Sequence, residues 1–305
     1  MAKKTPAHAY FFTGSRGTGK TTTARLLAKA LNCQNPKVEE KISVIFEPCG
    51  KCDSCLAIKK GNHLDLIEID AASNRGIDNI RELKEGVNLS PSMGKRKIYI
   101  IDEVHMLTTE ASNALLKTLE EPPEHAFFIL CTTNPEKVLD TIKSRCVQFQ
   151  FKRPTIDDLI LKLSRIAKDK NYEISKESLR QIAIAGKEAY REAETLLEQF
   201  ISDEKQFENL IETTSENHSE FFVSILENNR AKAIDIVHKI YASGINIETW
   251  TEKLIGYLRA LMLEKIGVKV NEFGFTFSED DYSIIKSTPE DKFKKSLEVF
   301  LKSIS

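Results

Sequence analysis

The sequence predicts an α/β chain: a parallel sheet with helices on both faces in its first half, and helices alone thereafter. Two observations predict it. From Ala9 to about Arg153, short apolar strands alternate with helical stretches; past Pro154 the strand signal stops, while leucine and isoleucine recur at helical spacing. The expected strands cover 9–13 (AYFFT), 64–70 (LDLIEID), 97–102 (KIYIID), 126–133 (AFFILCTT) and 147–151 (VQFQF). Strands this continuously apolar belong to sheets buried on both faces, which are parallel sheets with helical crossovers. Helices are expected between them, in TTTARLLAKAL and TTEASNALLKTLEE.

Three domains are expected, at 1–153, 154–204 and 205–305, since 305 residues exceed one ordinary core. The second carries TIDDLILKLSRIAKDK, SKESLRQIAIAGK and YREAETLLEQF; the third carries HSEFFVSILENN, RAKAIDIVHKIYASG and NIETWTEKLIGYLRALMLEKIG. A loop is expected over 269–283 (KVNEFGFTFSEDDYS), before a last amphipathic helix, PEDKFKKSLEVFLKSIS. No internal repeat is evident.

With 41% hydrophobic and 29% charged residues, the chain reads as a soluble globular protein. Its apolar runs are strand-sized, and MAKKTPAHAY has no apolar core of a secretory signal, so a cytoplasmic protein with no membrane partner is expected. A net charge of −1 gives no global attraction to nucleic acid; such a contact needs a local basic patch.

Residues Gly14, Ser15, Arg16, Gly17, Thr18, Gly19, Lys20 and Thr21 satisfy G-x-x-x-x-G-K-[ST] between an expected strand and an expected helix. Glycines let successive backbone N–H groups turn toward phosphates, and the helix N-terminus adds positive potential. Lys20 is suited to the β- and γ-phosphates of a bound nucleotide, Thr21 to Mg²⁺, and Thr22 is counted with the loop among the cofactor-binding residues. The plain alternative is a glycine-rich turn that opens a helix. The strand KIYIID delivers Asp102 and then Glu103 at its carboxyl end, where ligands of open α/β sheets bind. Asp102 suits Mg²⁺, and Glu103 suits an attacking water.

Cys33, Cys49, Cys52 and Cys55 form C-x15-C-x2-C-x2-C. Four thiolates close a structural Zn²⁺ site with no open position; a redox C-x-x-C competes, but the third and fourth cysteines count against it. Cys131 and Cys146 read as ordinary buried small residues. Arg145 in TIKSRC and Arg191 in AYREAETLLEQF read, by themselves, as solvated surface arginines.

Together HAYFFTGSRGTGKTTTARLLAKALNC, PCGKCDSC, DLIEIDAASNRGIDNIREL, KIYIIDEVHMLTTEASNALLKTLEEPPEH and TIKSRCVQF resemble the gamma/tau family of bacterial DNA polymerase III, the AAA+ ATPases of the clamp loader. The resemblance runs almost unbroken from His8 to Phe151 and is looser in the helical remainder. It implies an AAA+ P-loop NTPase domain with a zinc module, then a helical lid domain and a helical collar domain. It implies a motor that uses ATP, Mg²⁺ and Zn²⁺ to load a sliding clamp onto primer-template DNA, with other clamp-loader subunits as partners. By the same resemblance, Arg145 is a finger acting on the neighbouring subunit's nucleotide, Thr133 is the polar sensor beside the attacking water, and Arg191 is the lid arginine. The resemblance also assigns the four cysteines to the zinc module. Arg75, Arg81 and Lys117 fall at or near positions that track the DNA backbone, where a solvated helical face is the plain alternative.

Two departures from the family carry expectations. The RP and VGQ segments that help form the adenine pocket are absent before His8, so weaker adenine discrimination is expected. Glu188-Ala189-Tyr190-Arg191-Glu192-Ala193 stands where the family has a Gly-Ser start to its lid motif. The collar is expected to be somewhat short, without a tau extension. Two other readings compete: a stator of the same loader that binds nucleotide weakly, and a different AAA+ motor such as a branch-migration helicase.

Overall fold

The computed structural model describes residues 6–39, 45–186, 189–203, 217–243, 246–268, 270 and 277–304. Met1–Thr5, Glu188 and residues 269 and 271–276 of the expected 269–283 loop lie outside them. The described chain divides into two compact units, one of residues 1–166 and 185–194, the other of 167–184 and 195–305.

The first unit is built on a five-stranded sheet of β1 (Ala9–Thr13), β4 (Leu66–Asp70), β5 (Lys97–Asp102), β6 (Ala126–Thr132) and β7 (Val147–Gln150). Its order is β4-β5-β6-β1-β7 and all its pairings are parallel. The first strand in sequence therefore lies between the last two. Two-residue alternation sorts the side chains. Phe11, Tyr99, Ile101, Phe128 and Leu130 meet Ile80, Leu83 and Val87 of α3 (Ile77–Val87), and Leu115 and Leu119 of α4 (Thr109–Glu120). Phe12, Ile98, Ile100, Phe127, Ile129 and Cys131 share the other face with Ala24 and Ala28 of α1 (Lys20–Asn32). Both faces are thus covered, as continuous apolar strands require. Burying each large side chain contributes about 1.5–3 kcal/mol.

Helix α1 buries Lys20, Ala24, Ala28 and Asn32, a stripe spaced by four. The two alanines allow close approach to the sheet. At the stripe's end, Asn32 Nδ2 donates to the Arg96 carbonyl, and its Oδ1 accepts from the Arg96 N–H, both at 2.8 Å. That clamp sets the start of β5. Asp65, 1% exposed, fixes the preceding turn by accepting from the backbone N–H groups of Ser92, Met93 and Gly94 at 2.6–2.7 Å.

Two features differ from the sequence expectation. The cysteine segment carries an antiparallel pair, β2 (Lys37–Glu39) and β3 (Ile45–Glu47), and a helix α2 (Asp53–Lys60). The edge strand β7 is exposed along its length, although Phe149 stacks edge-on against Phe12 at 5.9 Å. After it, α5 aside (Asp140–Lys143, just before β7), the chain is helical: α6 (Ile156–Asp169), α7 (Lys176–Ala185) and α8 (Tyr190–Ser202).

The second unit holds α9 (217–226), α10 (Arg230–Ala242), α11 (Ile247–Lys265), α12 (Glu279–Ser287) and α13 (Glu290–Ile304). Its core joins Phe222, Ile240, Trp250, Leu254, Leu258, Leu261 and Phe293. The loop expected over 269–283 is corrected at its end, where α12 starts at Glu279. Ser278 accepts from the Asp281 N–H while Asp281 accepts from the Ser278 N–H, a capping box that starts the helix early. No helix among the described residues is long and apolar enough to cross a membrane.

Candidate functional site

The parallel register brings Thr13 level with Thr132 and Asp70 level with Asp102, so the carboxyl ends of four strands form one edge. The segment 14–19 turns over that edge between β1 and α1. Gly14 has φ +148°, and a Cβ there would lie 2.4 Å from the Phe151 carbonyl oxygen. Gly17 has φ +76°, and a Cβ there would lie 2.9 Å from Ala189 Cβ and 2.6 Å from Glu192 Oε2. The loop is closed by Thr18 Oγ1 donating to the Ser15 carbonyl at 2.8 Å. The Tyr190 N–H donates to the Gly17 carbonyl at 3.0 Å, tying the start of α8 to the loop.

Lys20, 6% exposed, donates from Nζ to the Gly14 and Ser15 carbonyls, each at 2.9 Å. Burial pushes its ammonium below the ordinary lysine value, opposed by the negative charge of Glu103 and Asp102. Next along the helix, Thr21 Oγ1 donates to Asp102 Oδ2 at 2.7 Å, closing the gap between α1 and β5. A hydroxyl and a carboxylate so paired can share one hard cation such as Mg²⁺.

Glu103 holds a left-handed backbone, φ 49° and ψ 45°, which is uncommon for a residue with a Cβ. Its Oε2 accepts from the Thr133 N–H at 3.0 Å and from Thr133 Oγ1 at 2.9 Å. Ser15, Arg16, Gly17, Thr18, Gly19, Lys20, Thr21, Thr22, Asp102, Glu103, Thr133 and Arg191 all line one cavity of about 1110 Å³. Sequence reading missed several other residues of that wall: Asp70, His105, Lys162 and Tyr190. Lys162 pairs with Glu194 and lies 5.1 Å from the centre of the Tyr190 ring. Asp70 ends β4 and His105 follows β5, whereas Lys162 and Tyr190 reach the loop only because tertiary folding brings α6 and α8 to it. Glu192 Oε2 is buried against Gly17 with no hydrogen-bond partner among the described residues.

Arg145 does not line this cavity. Its Nη2 donates to Glu120 Oε1 and its Nη1 to the Thr141 carbonyl at 2.6 Å. Arg75, Arg81 and Lys117 are exposed, and Arg75 Nε donates to the Ala72 carbonyl at 2.9 Å.

Cys33 caps the far end of α1, and Cys52 and Cys55 flank the start of α2. The sulfurs of Cys33, Cys49, Cys52 and Cys55 all lie within 4.8 Å of one another. Four thiolates on one Zn²⁺ stand roughly 3.8 Å apart, so the group fits that ion with little closure. The N–H groups of Lys51 and Cys52 donate to Cys49 Sγ and hold its thiol down to about 6, favouring the thiolate. The knot is braced by His63, whose Nε2 lies 3.0 Å from Ser54 Oγ while its Nδ1 accepts from the Asp65 N–H. Cys131 is fully buried and Cys146 partly so, and burial pushes both thiols up.

A glycine-lysine-threonine loop over a five-stranded parallel sheet ordered in this way defines a P-loop NTPase domain of the AAA+ class. The family model described as "DNA polymerase III, delta subunit" matches residues 1–155. The tau subunit of DNA polymerase III from Bacillus subtilis is 40% identical over 87% of this chain and 47% of its own length. Gamma subunits of the same polymerase from two Buchnera aphidicola strains are 38% identical over 87% of this chain and 72% of theirs, and 35% identical over 97% and 81%. The chain belongs to the DNA polymerase III gamma/tau family of clamp-loader subunits, and spans about half the length of the Bacillus tau relative.

Proposed function

We propose that this chain is an ATP-dependent motor subunit of a clamp loader, which opens a ring-shaped sliding clamp and places it on primer-template DNA. The observation that carries the reading is the 2.7 Å bond from Thr21 to Asp102, with Lys20 and Glu103 around the same cavity. It joins two segments 81 residues apart that, in this reading, are the two halves of a triphosphate site.

In this reading the loop N–H groups and Lys20 hold the phosphates of ATP. Lys20 would exchange its two carbonyl contacts for phosphate oxygens, a change favoured by charge. Bound between Thr21 and Asp102, Mg²⁺ would supply neutralising charge to the β- and γ-phosphates. Glu103 orients a water and takes its proton as the oxygen bonds the γ-phosphorus. The bond to the β,γ-bridging oxygen breaks, and ADP and phosphate leave. Thr133 steadies Glu103, while Arg191 reports the phosphates to the lid. Arg145 would act on a neighbouring subunit's nucleotide, which agrees with its position outside this chain's own cavity. Held by Cys33, Cys49, Cys52 and Cys55, Zn²⁺ would be structural, since four thiolates leave no open position.

The proposed division is an ATP-binding domain (1–153), a lid (154–204) and a collar (205–305), the last joining companion subunits. Arg75, Arg81 and Lys117 are proposed backbone contacts to DNA. The test is clamp- and DNA-stimulated ATP turnover by the loader assembled around this chain. Lys20→Ala should abolish it; turnover that survives the change removes the reading, and so does a wild-type loader that hydrolyses nothing.

A further inference from the structure

His105 occupies the short turn that follows β5, two residues past Glu103. Its side chain is 10% exposed, and its Nδ1 lies 3.2 Å from Glu103 Oε2 and 2.9 Å from Thr132 Oγ1. Thr132 is fully buried, and its hydroxyl oxygen also accepts from the Asn134 N–H at 3.0 Å. The proton between His105 and Thr132 decides what Glu103 faces. Were Nδ1 an acceptor, its lone pair would point at a carboxylate oxygen 3.2 Å away in a partly buried setting. With the proton on Nδ1, the N–H that bonds Thr132 Oγ1 also brings its positive end to that carboxylate oxygen, an attraction in place of a repulsion. The carboxylate therefore favours the Nδ1–H form.

On this basis we propose that His105 is a positioning residue for Glu103. The inference rests on the ATPase reading given above. The Thr133 N–H and hydroxyl both donate to one oxygen, Oε2, and His105 Nδ1 lies 3.2 Å from that same oxygen. Oε1 is thereby left to meet a water in the cavity that Glu103 lines. Both Thr133 donors come from the residue that follows β6, whereas His105 is attached to the same turn as Glu103. The left-handed backbone at Glu103 and the imidazole two residues on thus fix both ends of the side chain. Without His105 the carboxylate keeps its chemistry and loses its direction.

The experiment measures turnover and nucleotide affinity of the assembled loader, with clamp and primed DNA, for wild type, His105→Leu and His105→Asn. An asparagine amide nitrogen falls near the place of Nδ1, while leucine has the same shape and no donor. His105→Leu should lower kcat about 10- to 100-fold, the scale of a misplaced reacting group, with ATP binding and the thermal midpoint unchanged. His105→Asn should recover most of that loss. Full turnover in His105→Leu overturns the proposal, as does a loss that His105→Asn fails to relieve. A loss of turnover matched by a loss of ATP binding, or by a lowered midpoint in both variants, also overturns it. A wild-type loader without Lys20-dependent turnover sinks the ATPase reading itself, and is seen before any His105 variant is compared.

Discussion

Arg145 is bound within its own chain by Glu120, the last residue of α4. Both side chains are substantially exposed, at 32% and 47%, so the ion pair contributes no more than about 1 kcal/mol to the fold. Loss of Arg145 is therefore cheap for stability, and any large consequence must be chemical. Arg145→Ala is expected to fold and bind nucleotide normally. In the assembled loader it is expected to lose hydrolysis by roughly 10³-fold or more. Single-turnover assays on loader and isolated chain check this; an equal loss in the isolated chain would contradict action on a neighbour.

Gly17 is expected to tolerate no side chain. A Cβ meets Ala189 and Glu192, and the +76° φ is strained for any L residue. Gly17→Ala should cost about 1–3 kcal/mol and weaken nucleotide binding, because the loop and the start of α8 must part to admit the methyl. Denaturant melts and a fluorescent-nucleotide titration measure the two effects.

Elemental analysis is expected to find about one Zn²⁺ per chain, held by four cysteines whose sulfurs lie within 4.8 Å of one another. Cys52→Ser or a strong chelator should release it and lower the unfolding midpoint. Since the ligands must be thiolates, affinity should also fall on acidification. A folded, metal-free wild-type chain would count against the assignment.

His218 gives the second unit a pH dependence. It is 4% exposed, stacks between Trp250 and Tyr257, and burial holds its imidazole down to about 4. The unfolded chain takes up this proton near 6.5, the folded one only near 4, so the unfolded state binds more protons between those values. The stability is fully present above about 6.5 and is lost as pH falls toward 4, by at most about 3 kcal/mol. Melts from pH 7.5 to 4.5 should show that slope, and His218→Phe should flatten it.

Much of this was legible because the signals are local. The loop at 14–21, the Asp102-Glu103 pair and the cysteine spacing each fit within a few residues, and each needs only its own strand or turn. The Thr21–Asp102 bond follows once both strands are placed in one sheet. What stayed hidden depends on long-range packing. Nothing in the spacing of Asp65 announces that it will hold three N–H groups some 27 residues away. Lys162 and Tyr190 reach the cavity only because α6 and α8 fold back to the loop. The start of α12 is a different case: Ser278 and Asp281 are a local signal, overlooked amid a polar stretch.

Helix α1 begins at Lys20, at the end of the glycine-rich loop, and is capped at its other end by Cys33 of the cysteine cluster. Thirteen residues of helix span about 20 Å, with two alanines pressed on the sheet as the fulcrum. A tilt of α1 imposed at the loop would therefore swing the cysteine end through a comparable distance, so a probe on the cysteines would read a movement made at the far end of the helix.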